Sequence, residues 1–250
     1  MRILILGGTR EARELAGALT ARHHTVTTSL AGRTSQPDRP PGRVITGGFG
    51  GAEGLADYIE RARIDYLIDA THPFAAQISA NAVAAAEATD IELLRLRRPA
   101  WPVPEPNAWV EAENAQAAAG VLPPGATVFL TVGRQGLAPF LARKDCRFLL
   151  RSIEPPEEQL PGFVTAIEGR PPFSRNDELA LMRRRRITHL VTKNAGGRDT
   201  YAKIEAAFIL KIRVIMIERP ALPKAPEVGS VAAAMEILSQ LPAPKRFVFF

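Results

Sequence analysis

The sequence predicts an α/β protein made of two Rossmann-like parallel-sheet domains that are related by internal duplication and face a common cleft. Short apolar runs alternate with amphipathic segments, which is typical of parallel sheets with helical crossovers. A proline-rich stretch at residues 99–106 interrupts this alternation, as an interdomain connection would. Similar motifs recur on its two sides. We therefore expect an N-terminal domain over residues 1–100 and a C-terminal domain over residues 101–250.

The first half contains five predicted strands, at residues 2–6, 25–30, 44–46, 66–70 and 93–97. Ala12, Leu15, Ala16 and Leu19 follow the i, i+3, i+4, i+7 spacing of a helix with one buried face, which predicts a helix over residues 10–21. A second helix is expected at residues 52–62. A third is expected at residues 73–88, where Pro73 suits the first helical position.

The second half repeats this pattern, with strands predicted at residues 128–132, 148–152, 189–192 and 214–217 and helices at 177–185, 201–210 and 231–241. The segment at residues 98–102 resembles the segment at residues 219–223, an offset of 121. The offset is 123 between residues 67–71 and 190–194, and 126 between Gly7 and Gly133. A slowly drifting offset is expected of a duplicated α/β unit, with chance similarity of short motifs as the alternative. Whether strands are exchanged between the halves stays open.

The charge pattern favours an anionic small-molecule partner. The formal net charge is +6, and Arg supplies 26 of the 32 basic residues. Arginine pairs bidentately with carboxylate and phosphate, although compositional bias of the genome is an alternative explanation. Aromatic residues make up only 6% of the chain and no groove-reading motif is present, so nucleic acid is not expected as a partner.

The composition also excludes other classes of site and location. No apolar stretch approaches the ~20 residues of a membrane span. Four histidines and one cysteine offer no metal-ligand spacing, so no metal site is expected. The single cysteine, Cys146, rules out an internal disulfide and fits a reducing, cytoplasmic location.

A glycine turn joins the first strand to the first helix and predicts a phosphate-binding site. It reads G-x-T-x-x-A, with Thr9 where a second glycine is common. Backbone N–H groups at Gly7, Gly8, Thr9 and Arg10 and the helix N-terminus are suited to hold a pyrophosphate, with the Thr9 hydroxyl as an added donor. An ordinary turn is the alternative.

The end of the second strand favours NADP over NAD. Ser29 follows Gly7 by 22 residues, where NAD-specific domains usually place a carboxylate, and no carboxylate is nearby. A hydroxyl followed by Arg33 suits a 2′-phosphate, although Arg33 is also explained as a surface residue. We assign small neighbouring residues to the cofactor site as well: Ala31, Gly32, and Gly47 and Gly48 of the glycine-rich segment at 47–51.

Two further strand ends supply polar residues. Thr71 and His72 follow the fourth strand, and ligands of open α/β sheets bind at the carboxyl ends of strands. His72 is suited to donate a proton because it titrates near neutrality, although a structural role at the following helix is the alternative. The equivalent strand of the second half delivers Lys193 and Asn194, both candidate anion or carbonyl binders.

Together these motifs resemble those of the precorrin-6A reductases, the NADPH-dependent enzymes of corrin-ring biosynthesis. The most specific is the DATHPFA segment at residues 69–75. The resemblance extends over residues 7–220, and one departure is Ala195, where the family's loop has serine. The other matching segments are Gly7-Gly8-Thr9 with Glu11 and Ala12, Ala31-Gly32-Arg33, Ser79 with Asn81, residues 131–135, Pro172-Phe173 with Glu178, and residues 192–197 with Thr200 and Lys203.

The resemblance implies hydride transfer from NADPH to one double bond of a macrocycle that carries many carboxylates. His72 and Lys193 are then the catalytic candidates, with water as another source of the proton. The substrate-binding candidates are Arg134, Gln135, Lys193, Asn194 and Gly197. Neighbouring pathway enzymes are implied as further partners. Two alternatives stay open: a reductase of the cobalt-containing form of the same substrate, and a non-catalytic NADP- or anion-binding protein.

Overall fold

The computed structural model describes residues 1–32, 39–106, 108–154 and 159–240, except for the Gln135 side chain. The chain forms two compact units, of which the first comprises Met1–Arg98 and the segment that begins at Ala221, and the second comprises Pro99–Pro220. Each unit contains a six-stranded sheet in which every strand pair is parallel. The predicted fold class of two parallel-sheet α/β domains is therefore confirmed.

The sheet of the first unit has the strand order β12-β5-β4-β1-β2-β3. Its strands are β1 (Arg2–Leu6), β2 (Thr25–Leu30), β3 (Arg43–Thr46), β4 (Tyr66–Asp69), β5 (Glu92–Leu96) and β12 (Glu227–Val228). Its helices are α1 (Arg10–Ala21), α2 (Ala52–Ala62), α3 (Ala76–Thr89) and α8 (Val231–Gln240).

Helices cover both faces of this sheet, which is why its central strands β1 and β4 are mostly apolar. On one face Ile3, Ile5 and Ile68 pack with residues of α1 and α8. On the other face Leu4 and Leu67 pack with residues of α2 and α3. The alternating side chains of each strand therefore fill two separate cores.

The sheet of the second unit has the strand order β6-β11-β10-β7-β8-β9. Its strands are β6 (Val110–Ala112), β7 (Thr127–Thr131), β8 (Arg147–Ser152), β9 (Val164–Glu168), β10 (His189–Lys193) and β11 (Arg213–Ile217). Its helices are α4 (Ala115–Gly120), α5 (Ala138–Leu141), α6 (Arg175–Arg184) and α7 (Ala202–Ile209).

The two sheets have the same topology, and each receives its sixth strand from the other half of the sequence. Strand β6 follows β5 along the chain, yet it pairs with β11 of the second sheet. Strand β12 follows β11, yet it pairs with β5 of the first sheet. The offset between equivalent strands is 121 from β5 to β11 and 123 from β4 to β10, as the sequence comparison predicts.

This exchange differs from the predicted division at residue 100. The segment that begins at Ala221, predicted to lie in the C-terminal domain, belongs to the first unit because β12 completes the first sheet and α8 packs beside α1.

The third helix also begins later than predicted. Pro73 lies inside a turn closed by a 2.7 Å hydrogen bond from Ala75 N to His72 O, and α3 starts only at Ala76. Proline suits the second position of such a turn as well as it suits a helix start.

Candidate functional site

In the first unit, the predicted cofactor residues within the described part of the chain lie along the carboxyl edge of the sheet. Strand register places Leu6, the last residue of β1, beside both Ser29 of β2 and Asp69 of β4. Leu30 pairs with Thr46, so the glycine-rich segment after β3 adjoins the end of β2. The glycine turn, the end of β2 and the residues after β4 therefore share one edge.

The glycine turn is fixed against β2 by a close backbone approach. Gly7 N donates to Ser29 O at 2.9 Å, and a Cβ added at Gly7 would lie only 2.7 Å from the Thr28 Cγ2 methyl. Any larger residue would therefore push the turn away from β2. Gly8 has φ +112° and open space where a side chain would stand, so the backbone is accessible at this point. This cradle fits a pyrophosphate held by backbone N–H groups at the N-terminus of α1.

Thr9 caps α1, and its hydroxyl is committed to the protein. The oxygen accepts a hydrogen bond from Ala12 N at 3.1 Å, and the hydroxyl donates to Ala70 O at 2.8 Å. In this structure the one proton of the hydroxyl is used within the protein, so donation from Thr9 to a ligand stays a prediction that requires the bond to Ala70 O to break. The hydroxyl instead ties the start of α1 to the end of β4. The next predicted residue, Arg10, pairs with Glu14 at 2.7 Å on the helix surface.

The residues at the end of β2 are only partly described. Ser29 is buried and Ala31 is exposed, and Gly32 adopts φ +68° beside Thr46. Gly47 N donates to Leu30 O at 3.0 Å. Nothing lies within 4 Å of a Cβ added at Gly47 or Gly48, so these glycines leave open space. Arg33, the residue predicted to select the 2′-phosphate, lies outside the described residues.

A buried ion pair supports the residues after β4. Asp69 is 1% exposed and accepts hydrogen bonds from Thr71 N at 3.2 Å, from the Thr71 hydroxyl at 2.7 Å and from Arg95 Nε at 3.2 Å. Arg95 is 4% exposed, and its Nη1 also donates to Pro223 O at 3.0 Å. The carboxylate therefore orients Thr71, whose hydroxyl also lies 3.4 Å from that of Ser79.

His72 is exposed and oriented by its own turn. Its Nδ1 accepts a hydrogen bond from Phe74 N at 3.3 Å, which assigns the proton of the neutral ring to Nε2. The same edge carries a small pocket lined by Thr71, His72, Ser79 and Arg95 among others. His72 thus presents a donor at the carboxyl edge of the first sheet.

In the second unit, the loop after β10 is held by Trp101. Trp101 N donates to Asn194 Oδ1 at 2.8 Å, Asn194 Nδ2 donates back to Trp101 O at 3.4 Å, and the Trp101 indole donates to Gly197 O at 2.9 Å. The side chain of Asn194 and the carbonyl of Gly197 thus have structural partners. Gly196, with φ +67°, permits this arrangement because a Cβ there would overlap the carbonyl oxygen of Pro99. Asn194 and Gly197 were predicted to contact the substrate. Such contacts would have to use atoms other than the Asn194 side-chain amide and the Gly197 carbonyl oxygen.

The remaining predicted substrate residues lie at the same edge of the second sheet. Lys193 is the last residue of β10. It lies beside Gly136, because a Cβ added at Gly136 would be 4.0 Å from Lys193 Cε. Gly133 adopts φ +74° after β7 and opens a 3-10 helix over Arg134–Gly136. This turn holds Arg134 and the backbone of Gln135 near the end of β10, whereas the Gln135 side chain lies outside the described structure.

Behind this edge lies a buried cluster of charges. Arg151 forms a bidentate pair with Glu178 (2.5 and 2.9 Å), and its guanidinium lies 4.0 Å from the Phe173 ring centroid. Lys203 Nζ donates to Thr200 O at 2.7 Å. Burial lowers the pKa of Lys203 to about 7. Glu178 partly opposes this shift, and Arg151 reinforces it.

Comparison with known proteins identifies the chain. The family model described as precorrin-6x reductase CbiJ/CobK matches residues 2–239. The chain belongs to this family. A solved structure described as CobK precorrin-6A reductase is similar with a TM-score of 0.92 and 41% identity, covering 98% of this chain and 99% of its own.

Named relatives include both forms of the family. A precorrin-6A reductase from Rhodococcus erythropolis is 49% identical over 237 residues, which cover 94% of this chain and 96% of that protein. A cobalt-precorrin-6A reductase from Priestia megaterium is 29% identical over 94% of this chain and 95% of that protein. The chain is therefore more similar to the former relative than to the latter.

The sequence analysis missed two arginines with largely covered side chains in this CbiJ/CobK family member, Arg95 and Arg151, which are 5% and 10% exposed. Both interrupt apolar strands, and a buried charge requires a partner. Arg95 stands directly beside Asp69 in the sheet register, so the position of one predicts the other. Arg151 lacks such a register signal, because its partner Glu178 comes from α6.

The described residues contain neither a membrane-spanning helix nor a metal cluster. No helix in the described part of the chain is long and apolar enough to cross a membrane. Among the same residues, no three His, Cys, Asp or Glu side chains come close enough together to hold a metal ion.

Proposed function

We propose that the chain transfers hydride from NADPH to a double bond of precorrin-6A and so forms the dihydro product precorrin-6B in cobalamin biosynthesis. The observation that carries this proposal is the carboxyl edge of the first sheet, which the Gly7 turn, the end of β2 and Thr71 share. Membership of a family of reductases supports the reaction type.

The nucleotide would be held by residues of the first unit. Backbone N–H groups of Gly8, Thr9 and Arg10 suit the pyrophosphate because no side chain covers the backbone at Gly8, whereas Gly7 N donates to Ser29 O and would shape the turn. Further contacts are proposed at Ser29, Ala31, Gly32, Arg33, Gly47, Gly48 and Thr71. When bound, the nicotinamide supplies the hydride, so the protein contributes positioning and charge complementarity.

The substrate carboxylates would pair with basic and polar groups of the second unit. Arg134 and Lys193 are two cations near its carboxyl edge, with Gln135, Asn194 and Gly197 as neighbouring contacts. The proton that accompanies hydride transfer is proposed to come from His72 or Lys193. The hydrogen bond from Phe74 N to Nδ1 is made by the neutral His72 ring, so donation from His72 would use the doubly protonated ring and would require this bond to break.

The choice of NADPH is tested by titrating the purified protein with NADPH and NADH in parallel and following nicotinamide fluorescence. We expect a clear preference for NADPH that disappears in Arg33→Ala and persists in the control Arg39→Ala, an exposed arginine of the same region. Binding of neither nucleotide would overturn the proposal. A preference for NADH would leave a reductase but refute the role of Arg33.

The substrate and the proton donor are tested by turnover. Loss of NADPH absorbance with precorrin-6A, and weaker activity with its cobalt complex, is expected because relatives named precorrin-6A reductase reach 49% identity. The reverse preference would favour the cobalt route. If His72 donates the proton, His72→Gln should lower kcat with NADPH affinity unchanged, whereas an unchanged kcat would favour Lys193 or water.

The free thiol of buried Cys146 agrees with a cytoplasmic location, which we also propose.

A further inference from the structure

The loop at residues 194–200, between β10 and α7, is held by side chains from outside it. The loop itself contains neither helix nor strand. Three of its carbonyl oxygens accept hydrogen bonds from such side chains: Asn194 O from Arg219 Nε at 2.8 Å, Gly197 O from the Trp101 indole at 2.9 Å and Thr200 O from Lys203 Nζ at 2.7 Å. The conformation of the loop therefore depends on these three donors.

Trp101 holds the loop at two separate points. Its backbone N donates to Asn194 Oδ1 at 2.8 Å, in addition to the indole hydrogen bond to Gly197 O. Its ring also packs against Tyr201, with the ring centroids 5.7 Å apart, and lies 5.2 Å from Lys203 Nζ. Because Trp101 is only 8% exposed, loss of the indole N–H would leave the Gly197 carbonyl without a donor that water easily replaces.

The internal duplication shows that the fold does not itself require an indole at this position. At the offset of 121, the residue equivalent to Trp101 is Leu222, which lines the small pocket beside Thr71 and His72 in the first unit. Leucine has no hydrogen-bond donor in its side chain. An aliphatic residue thus suffices in the first unit, and the hydrogen bond from the Trp101 indole is an additional feature of the second.

We propose that Trp101 is a positioning residue for the substrate. The indole fixes the Gly197 carbonyl, so that the loop and the adjoining Lys193 have one arrangement before the substrate binds. A loop that is already ordered reduces the entropic cost of binding. This inference rests on the proposed function, in which Lys193, Asn194 and Gly197 contact the carboxylate-bearing macrocycle. Nucleotide binding should not depend on Trp101, because the proposed nucleotide residues belong to the first unit.

The test compares two matched tryptophan-to-phenylalanine variants of the full chain. Trp101→Phe retains an aromatic ring beside Tyr201 and removes only the indole donor to Gly197 O. Trp109→Phe is the control in the same unit. Its indole is buried and has no hydrogen-bond partner within the described residues, so this substitution breaks no hydrogen bond.

The order of the loop is measured by limited trypsin digestion without ligand. The loop contains an exposed site at Arg198-Asp199, and the exposed Lys144-Asp145 site of the same unit is the reference, with aspartate after the cleaved bond in both cases. In Trp101→Phe the rate of cleavage after Arg198, relative to that after Lys144, should rise about tenfold. In Trp109→Phe this ratio should equal that of the parent.

Substrate positioning is measured by turnover of precorrin-6A with NADPH. Trp101→Phe should raise KM for precorrin-6A about tenfold, with kcat and the Kd for NADPH unchanged, as expected when only uniform substrate binding is lost. Trp109→Phe should match the parent in all three constants.

Three results would overturn the inference alone. An unchanged cleavage ratio in Trp101→Phe would mean that the indole does not hold the loop. A raised ratio with an unchanged KM would mean that the hydrogen bond is structural only, and an equal loss of NADPH affinity would mean that the effect is not confined to the substrate. A parent protein that binds NADPH but does not reduce precorrin-6A would instead refute the proposed function, and the inference with it.

Discussion

Substitution of Lys203 tests whether a buried lysine of the second unit is neutral in the folded protein. Burial lowers its pKa from 10.5 to about 7, whereas in the unfolded chain the pKa returns to its ordinary value. Between these two values the unfolded state binds more protons than the folded state, so the stability of the parent protein falls as pH decreases from 10.5 to 7. Over the whole interval this destabilisation amounts to ~5 kcal/mol.

Lys203→Met removes this dependence. Between pH 9 and pH 7 the parent should lose about 2 kcal/mol relative to the variant, and below pH 7 the difference should become constant. The variant also loses the hydrogen bond to Thr200 O, a cost of about 1 kcal/mol that does not vary with pH. Arg151 and Glu178 remain paired in the variant, so no new isolated charge is created.

The assay is urea unfolding at several pH values, followed by tryptophan fluorescence. Both tryptophans, Trp101 and Trp109, belong to the second unit, so the signal reports on the unit that contains Lys203. Lys144→Met, at an exposed position, is the control and should show no pH-dependent difference from the parent. Parallel stability curves for the parent and Lys203→Met from pH 9 to pH 7 would refute the reasoning, because they would mean that Lys203 stays charged when buried.

Two further substitutions test the first unit. Asp69→Asn removes the closer carboxylate of the buried Arg95 guanidinium, which keeps only a 3.8 Å contact with Glu227, and should reduce the free energy of unfolding by ~3 kcal/mol in urea; a loss below ~1 kcal/mol would show that the pair with Asp69 is not needed for stability. Gly7→Ala places a Cβ 2.7 Å from Thr28 Cγ2 and should weaken NADPH binding about tenfold in the fluorescence titration. Adding Thr28→Ser removes that methyl group and should restore most of the affinity, whereas failure to restore it would mean that the contact is not the cause.

The sequence predicted the regular elements well wherever local periodicity determines them. Helices α1 and α2 and strands β1 and β2 have the predicted bounds, because each has an apolar pattern of the correct period and clear ends. The five-residue strand β9 and the short helices α4 and α5 were missed, as were the short strands β6 and β12. Three and two residues are too few to establish a period, and both strands depend on pairing with a strand distant in sequence.

The sequence predicted where the candidate site residues lie in the sheet, but it did not predict the hydrogen bonds of their side chains. Motif spacing places Gly7, Ser29 and Thr71 at one edge because the carboxyl ends of parallel strands must meet there. The hydrogen bonds of side chains are set by tertiary neighbours that spacing does not specify. Thr9 therefore caps a helix with a hydroxyl predicted to bind ligand, and Asn194 bonds to the backbone of Trp101.

The exchange of β6 and β12 has a consequence for the order in which the chain folds during synthesis. Arg95 of the first sheet pairs with Glu227, so this sheet lacks its last strand until Val228 has been made. The second unit, Pro99–Pro220, is complete in sequence before that point. The unit that begins first along the chain is therefore the last to be completed, and contacts so distant in sequence favour slow folding. A fragment ending near residue 100 would expose β5 as an unprotected sheet edge, a template for association with other chains.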